Sequence, residues 1–119
     1  MCTRLCLVSK PGPIRDATCA TIATTPEIKL VILADDALSA IERLKRIKLD
    51  LVLIDSNLSK SEVAILLAWL TAHAPNVCKL VARMTSSECD HVVGLGADEA
   101  FRRDELADKL ELLIHQMPH

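Results

Sequence analysis

Short apolar runs alternate along the chain with longer stretches in which apolar residues recur every three or four positions. Leu5 to Val8, Leu30 to Leu33 and Leu51 to Ile54 are unbroken apolar runs of strand length, the pattern of strands buried on both faces. Val77 to Val81 gives a fourth strand interrupted by Lys79, and Ala100-Phe101 a brief fifth. Between them lie helical patterns. Pro13 suits the first turn of a helix reaching about Thr24, with Ile14, Ala17 and Ile22 as core contacts. Asp36 is placed to cap a second helix carrying Leu38, Ile41 and Leu44. Ser61 is the expected cap of a third, which Pro75 helps to end after about Ala74. A short helix over about Ser87 to Leu95 follows, and Leu106, Leu110, Leu113 and Met117 form one stripe of a last helix.

The order βαβαβαβαβα predicts a parallel sheet with helices on both faces. Right-handed crossovers leave few topologies, and at this length the expected one is a single flavodoxin-like (βα)5 domain over residues 1–119, strand order 2-1-3-4-5. In such sheets the functional edge lies at the carboxyl ends of the strands, near the switch between strands 1 and 3. That rule directs attention to Ser9, Lys10, Asp55, Ala82 and Arg103.

Composition narrows the function. Half the residues are hydrophobic, but Trp69 and Phe101 are the only aromatics, so the core must be aliphatic. With 14 cations against 16 acids, the formal charge is −2, which gives no general attraction to nucleic acid or an anionic membrane. The longest strongly apolar run, Val63 to Leu70, is too short to cross a bilayer, and the first residues lack a signal-peptide h-region. Five cysteines with no CxxC are expected to be reduced, mostly buried thiols of a cytoplasmic protein, and no Cys/His spacing matches a zinc ligand set. No glycine-rich phosphate loop is present.

At this point the residues resemble a known family. Leu51-Val52-Leu53-Ile54-Asp55-Ser56-Asn57-Leu58 is similar to the third strand and acceptor loop of bacterial response-regulator receiver domains. Gly96-Ala97-Asp98 resembles the family's turn before strand 5, and Ala34 to Arg46 its strand 2 end and helix 2. The resemblance spans the chain. It places Asp55 at the phospho-acceptor position. Ser9 and Lys10 stand where active receivers carry the acidic pair that holds Mg²⁺. Ala82 stands at the Thr/Ser position ending strand 4, although a slipped alignment nominates Thr85. Arg103 replaces the lysine after strand 5, Asp104 the proline that follows, and Ala100 the aromatic switch residue.

These departures imply a degenerate receiver. Phosphoryl transfer depends on positioning and charge neutralisation, and Mg²⁺ on oxygen ligands, so Mg²⁺ binding is expected to be weak or absent. The Lys10 ammonium is expected beside Asp55, in the metal's electrostatic role. Asp35-Asp36 looks like an acidic pair but follows strand 2, two strand spacings, roughly 9–10 Å, from Asp55; it reads as a helix cap. Asp55 itself has a plainer reading as an aspartate that serves the following turn.

The expected function is a two-component signalling domain that works through protein contacts. The alternatives are a working phospho-receiver modified on Asp55 and, further off, a flavodoxin-like enzyme or nucleotide binder. The third helix is apolar on its outer side as well: Ile65 and Trp69, one turn apart, are candidates for a homodimer or partner surface, with burial of Trp69 on the domain's own edge as the competing reading.

Overall fold

The structure, a computed structural model, describes residues 2–116. Its elements are β1 (Thr3–Val8), α1 (Pro13–Ala23), β2 (Ile28–Ala34), α2 (Ala37–Leu44), β3 (Leu51–Ile54), α3 (Lys60–His73), β4 (Cys78–Arg83), α4 (Ser86–Val93), β5 (Glu99–Arg102), a 3-10 turn (Arg103–Glu105) and α5 (Leu106–Gln116). The five strands form one parallel sheet in the order β2-β1-β3-β4-β5, the flavodoxin-like arrangement expected from the sequence.

The unbroken apolar strands are explained by the two cores they serve. Successive strand side chains point to opposite faces. Cys6, Val8, Val52, Ile54 and Val81 join the residues of α2, α3 and α4 on one side. Leu5, Leu7, Leu51, Leu53, Leu80 and Phe101 join α1 and α5 on the other. With both faces covered, Leu5 to Val8 and Leu51 to Ile54 are apolar throughout and wholly buried, whereas Leu33 on the edge strand β2 is exposed.

Local differences from the sequence reading have physical causes. The cap of α3 is Ser59, not Ser61: its Oγ accepts the Glu62 N–H at 3.2 Å, the S-x-x-E spacing that joins a cap to the third helical residue. Strand β4 is not broken at Lys79, which lies inside it and is 5% exposed. The backbone N–H of Lys79 donates to Asp98 Oδ2 at 2.7 Å and its ammonium to the Val77 carbonyl at 3.2 Å, so the buried charge is satisfied. β4 also runs on to Arg83, because Ala82 and Arg83 pair with Phe101 and Arg102. In α1 the buried residues are Thr18 and Ile22, while Ala17 is exposed. Asp36 caps α2 as expected, accepting the Ser39 N–H at 2.7 Å. Leu106, Leu110 and Leu113 form the buried stripe of α5, and Met117 lies outside the described residues. No helix among the described residues is long and apolar enough to cross a membrane.

The outer side of α3 has a mixed environment. Ile65 is 51% exposed, whereas Trp69 is half-buried, packs on the first core and stacks on His73 with ring centroids 5.0 Å apart.

Candidate functional site

Asp55 follows β3 directly, at the carboxyl edge of the sheet. Its N–H donates to the Val8 carbonyl at 2.9 Å, which carries the β1–β3 ladder one step past the strand. The residue is 1% exposed. Its two oxygens accept from four protein donors. Oδ1 receives the Ser56 N–H at 2.8 Å and Arg103 Nη1 at 2.9 Å. Oδ2 receives the hydroxyls of Ser9 and Thr18, both at 2.8 Å. A carboxylate offers about four lone-pair directions. All of them are directed at donors of the protein itself, drawn from the end of β1, from α1, from the loop after β3 and from the turn after β5.

Arg103 supplies the compensating charge that a buried carboxylate requires. Its planar fork also fixes the surroundings: Nη1 donates to Thr18 Oγ1 at 2.8 Å and Nη2 to the Ile14 carbonyl at 2.9 Å. Thr18 Oγ1 accepts from Arg103, and its single proton stands between two acceptors, Asp55 Oδ2 at 2.8 Å and the Ile14 carbonyl at 3.0 Å, with the Asp55 contact the shorter. Ser9 is oriented in the same way. Asn57 Nδ2 donates to Ser9 Oγ and to the Lys10 carbonyl, each at 3.1 Å, and Asn57 Oδ1 accepts the Lys10 N–H at 3.1 Å.

The expected pairing of Lys10 with Asp55 does not occur. The Lys10 ammonium lies 3.0 Å from Glu62 Oε1, on the first turn of α3. The reason is occupancy: Arg103 and the hydroxyls already fill the Asp55 oxygens, and Glu62 is the carboxylate within reach. Burial works most strongly to raise the pKa of Glu62, but the Lys10 bond and the Ala37 N–H at 3.4 Å outweigh it and hold the group below its ordinary value.

The remaining positions fall as follows. Ile54 pairs with Val81, so Asp55 and Ala82 are the next residues on neighbouring strands; Ala82 is buried and brings only a methyl group. Thr85 is beyond the strand and caps α4, its Oγ1 accepting the Glu88 N–H at 3.3 Å. Ala100 is half-buried on β5 against the first core. Asp104 is exposed, 3.5 Å from Arg102. Asp35 pairs with Arg15. Ile65 and Trp69 belong to the outer side of α3 and not to the Asp55 cluster.

Sequence reasoning missed Thr18, Asn57 and Arg83. Thr18 carried a signal: it lies four residues from both Ile14 and Ile22, so one helical face was bound to bury a hydroxyl. Arg83, 6% exposed, carried none. Among the described residues one buried side-chain polar atom, Ser56 Oγ, has no partner. The cysteines are less uniformly buried than expected: Cys6 and Cys89 are buried, Cys19 and Cys78 half-buried, Cys2 exposed. Burial pushes the Cys6 thiol up to about 12, which removes it as a nucleophile near neutral pH.

The donor set does not fit a divalent cation. No group of three or more His, Cys, Asp or Glu residues gathers among the described residues. Asp55 is the one carboxylate in its cluster, a guanidinium touches it, and coordination would have to displace bonds already made.

No family model matches the chain, and no curated protein matches it. Solved structures do. The signal receiver domain of the putative response regulator NarL from Mycobacterium tuberculosis superposes with a TM-score of 0.80 at 16% identity, covering 98% of each chain. The non-phosphorylated receiver domain of the stress response regulator RcsB from Escherichia coli gives 0.81 at 13% identity over the whole of both chains. A structure of the P1 domain of CheA3 in complex with CheY6 from R. sphaeroides gives 0.74 at 18% identity, covering 95% of this chain and 97% of that one. At these identities the likeness carries the fold, and the chain has the fold of response-regulator receiver domains.

Proposed function

We propose that the chain is a receiver-like signalling domain of the two-component type that acts through protein contacts, is not phosphorylated in the usual Mg²⁺-dependent way, and is not an enzyme. The observation that carries this reading is the saturated Asp55 carboxylate. An acceptor aspartate needs an oxygen free to attack phosphorus and a cation that holds the incoming oxygens. Here both oxygens accept from fixed donors, and the nearby cation is an arginine that also binds Thr18 and Ile14. The site residues then act as a structural lock: Asp55 at its centre, Ser9 and Thr18 as donors, Arg103 as counter-charge, Ala82 as filler and Lys10 as the tie to α3.

A protein partner is supported by the fold and by the CheA3–CheY6 complex, in which a neighbour of the same fold binds a protein domain. Ile65, with Trp69 beside it, is the proposed contact for a partner or a second copy. Ala100 in place of an aromatic supports a docking surface that does not depend on a switching side chain. The proposed location is the cytoplasm, with no direct contact to nucleic acid or membrane.

The test is incubation with Mg²⁺ and acetyl phosphate followed by intact mass. The proposal expects no phosphoryl adduct. An adduct lost in Asp55→Asn would favour the second reading, a working phospho-receiver, for which the place of Asp55 at the end of β3 is the supporting observation.

A further inference from the structure

Arg83, the last residue of β4, is a charged side chain almost wholly inside the molecule: 7% of the side chain is exposed. It belongs neither to the Asp55 cluster nor to the apolar cores. Its Nη1 donates to the Leu58 carbonyl at 3.0 Å, in the loop between β3 and α3. Its Nη2 lies 3.3 Å from Glu88 Oε2, in the first turn of α4. Both anchors are themselves held. Leu58 is 2% exposed, and its N–H lies 3.4 Å from the Asp55 carbonyl. Glu88 Oε1 accepts the Thr85 hydroxyl at 3.0 Å, and the Glu88 N–H donates to that same hydroxyl. One guanidinium therefore joins the loop that follows Asp55 to the start of α4, and among the described residues no other charged side chain is bonded to both.

We infer that Arg83 is a coupling pin: it sets the position of α4 relative to the 55–59 loop, so that a disturbance at either is felt at the other. The physical ground is the cost of a partly released pin. If α4 moves away with Glu88, a buried guanidinium loses its counter-charge; if the loop moves, the same group loses the carbonyl. Neither element can shift alone without leaving the buried guanidinium short of a partner, the counter-charge in one case and a hydrogen-bond acceptor in the other. Arginine suits this role because its fork is rigid and always charged. The inference goes beyond the proposed function, because it needs neither phosphate nor its absence.

Hydrogen exchange read by mass spectrometry, without any phosphoryl donor, tests the pin. Arg83→Met is expected to raise amide exchange by on the order of tenfold in two separate stretches, 56–60 and 85–90, for loss of charge-assisted bonds. Exchange at 14–18 is expected to be unchanged. Glu88→Gln keeps the side-chain shape and the arginine and weakens the outer anchor. It is expected to raise exchange at 85–90 and, to a smaller degree, at 56–60. Should Arg83→Met not fold, Glu88→Gln carries the test. Exchange that rises at 85–90 only, in either variant, overturns the coupling, as does a uniform rise over the whole chain. An acetyl phosphate adduct on Asp55 would sink the proposed function and leave this result untouched.

Discussion

Replacing Arg103 with methionine should destabilise the fold severely, and the structure gives the size. The guanidinium donates to Asp55 Oδ1, Thr18 Oγ1 and the Ile14 carbonyl. Methionine retains much of the apolar stem and removes all three bonds. What remains is a carboxylate 1% exposed with no cation in contact. Breaking a buried pair in this way costs about 3–5 kcal/mol. The arginine side chain is 21% exposed, so water screens part of the interaction and the low end, about 3 kcal/mol, is expected. That is a large share of a total stability of about 5–15 kcal/mol. Urea unfolding with an unchanged slope should show it as a fall in midpoint. The cycle completed with Asp55→Asn isolates the charge. Once the carboxylate is neutral, removing the arginine should cost much less, giving a coupling of roughly 1.5–3 kcal/mol, within the range of residues in direct contact. If Arg103→Met falls within about 0.5 kcal/mol of the parent, the range of ordinary surface substitutions, or if the two changes simply add, Arg103 is not the counter-charge that holds this site.

Other expectations follow from the same geometry. Thr18→Val keeps the shape of a side chain 1% exposed and deletes the donor to Asp55 and the acceptor for Arg103; it should cost about 1–3 kcal/mol in the same unfolding assay. The Lys10–Glu62 pair should depend on pH. The folded pKa of Glu62 lies below its ordinary 4.5, so the stabilisation is present above that value and is lost as pH falls through the folded pKa. Lys10→Met should therefore lower stability at neutral pH, with the difference from the parent shrinking in acid unfolding curves; a difference that grows in acid would contradict the pairing. Leu66→Ala, at a wholly buried position of α3, should cost about 2–5 kcal/mol by leaving a cavity. In alkylation at mildly alkaline pH followed by peptide mapping, exposed Cys2 should react and Cys6, held at about 12, should not.

The architecture was legible because burial on both faces leaves a plain mark: Leu5 to Val8 and Leu51 to Ile54 have no polar alternative, and the helices between them repeat at helical spacing. Strand order followed from the length and the alternation. The ends of elements were less legible. Lys79 looked like a break because a charge inside a parallel strand is normally excluded; Asp98, nineteen positions later, makes it tolerable. Ser59 and Ser61 are equally good caps by type, and the partner Glu62 decides between them. In the Asp55 cluster, Asp55, Ser9 and Arg103 were legible as neighbours because each directly follows a strand at one edge of the sheet. The partner of Lys10 was misjudged because neighbouring strands predict proximity but not competition: Arg103, from the turn after β5, occupies Asp55 Oδ1, and Lys10 pairs with Glu62 instead. Thr18 was overlooked as a weak helix former, although its place between Ile14 and Ile22 marked it as inward-facing. Gly96 was legible as a turn; its φ of 111° and the Thr71 hydroxyl 3.2 Å from where a Cβ would stand explain why glycine occupies it.

Titration of the ¹⁵N-labelled chain with magnesium, then with beryllofluoride, bears most directly on whether the Asp55 oxygens are already taken. Amide signals of Ser9, Ser56 and Arg103 should stay in place through low-millimolar magnesium and after the fluoride is added. Saturable movement of those signals that disappears in Asp55→Asn would mean the carboxylate exchanges its protein donors for a metal and a phosphoryl mimic, and the lock described above would not exist.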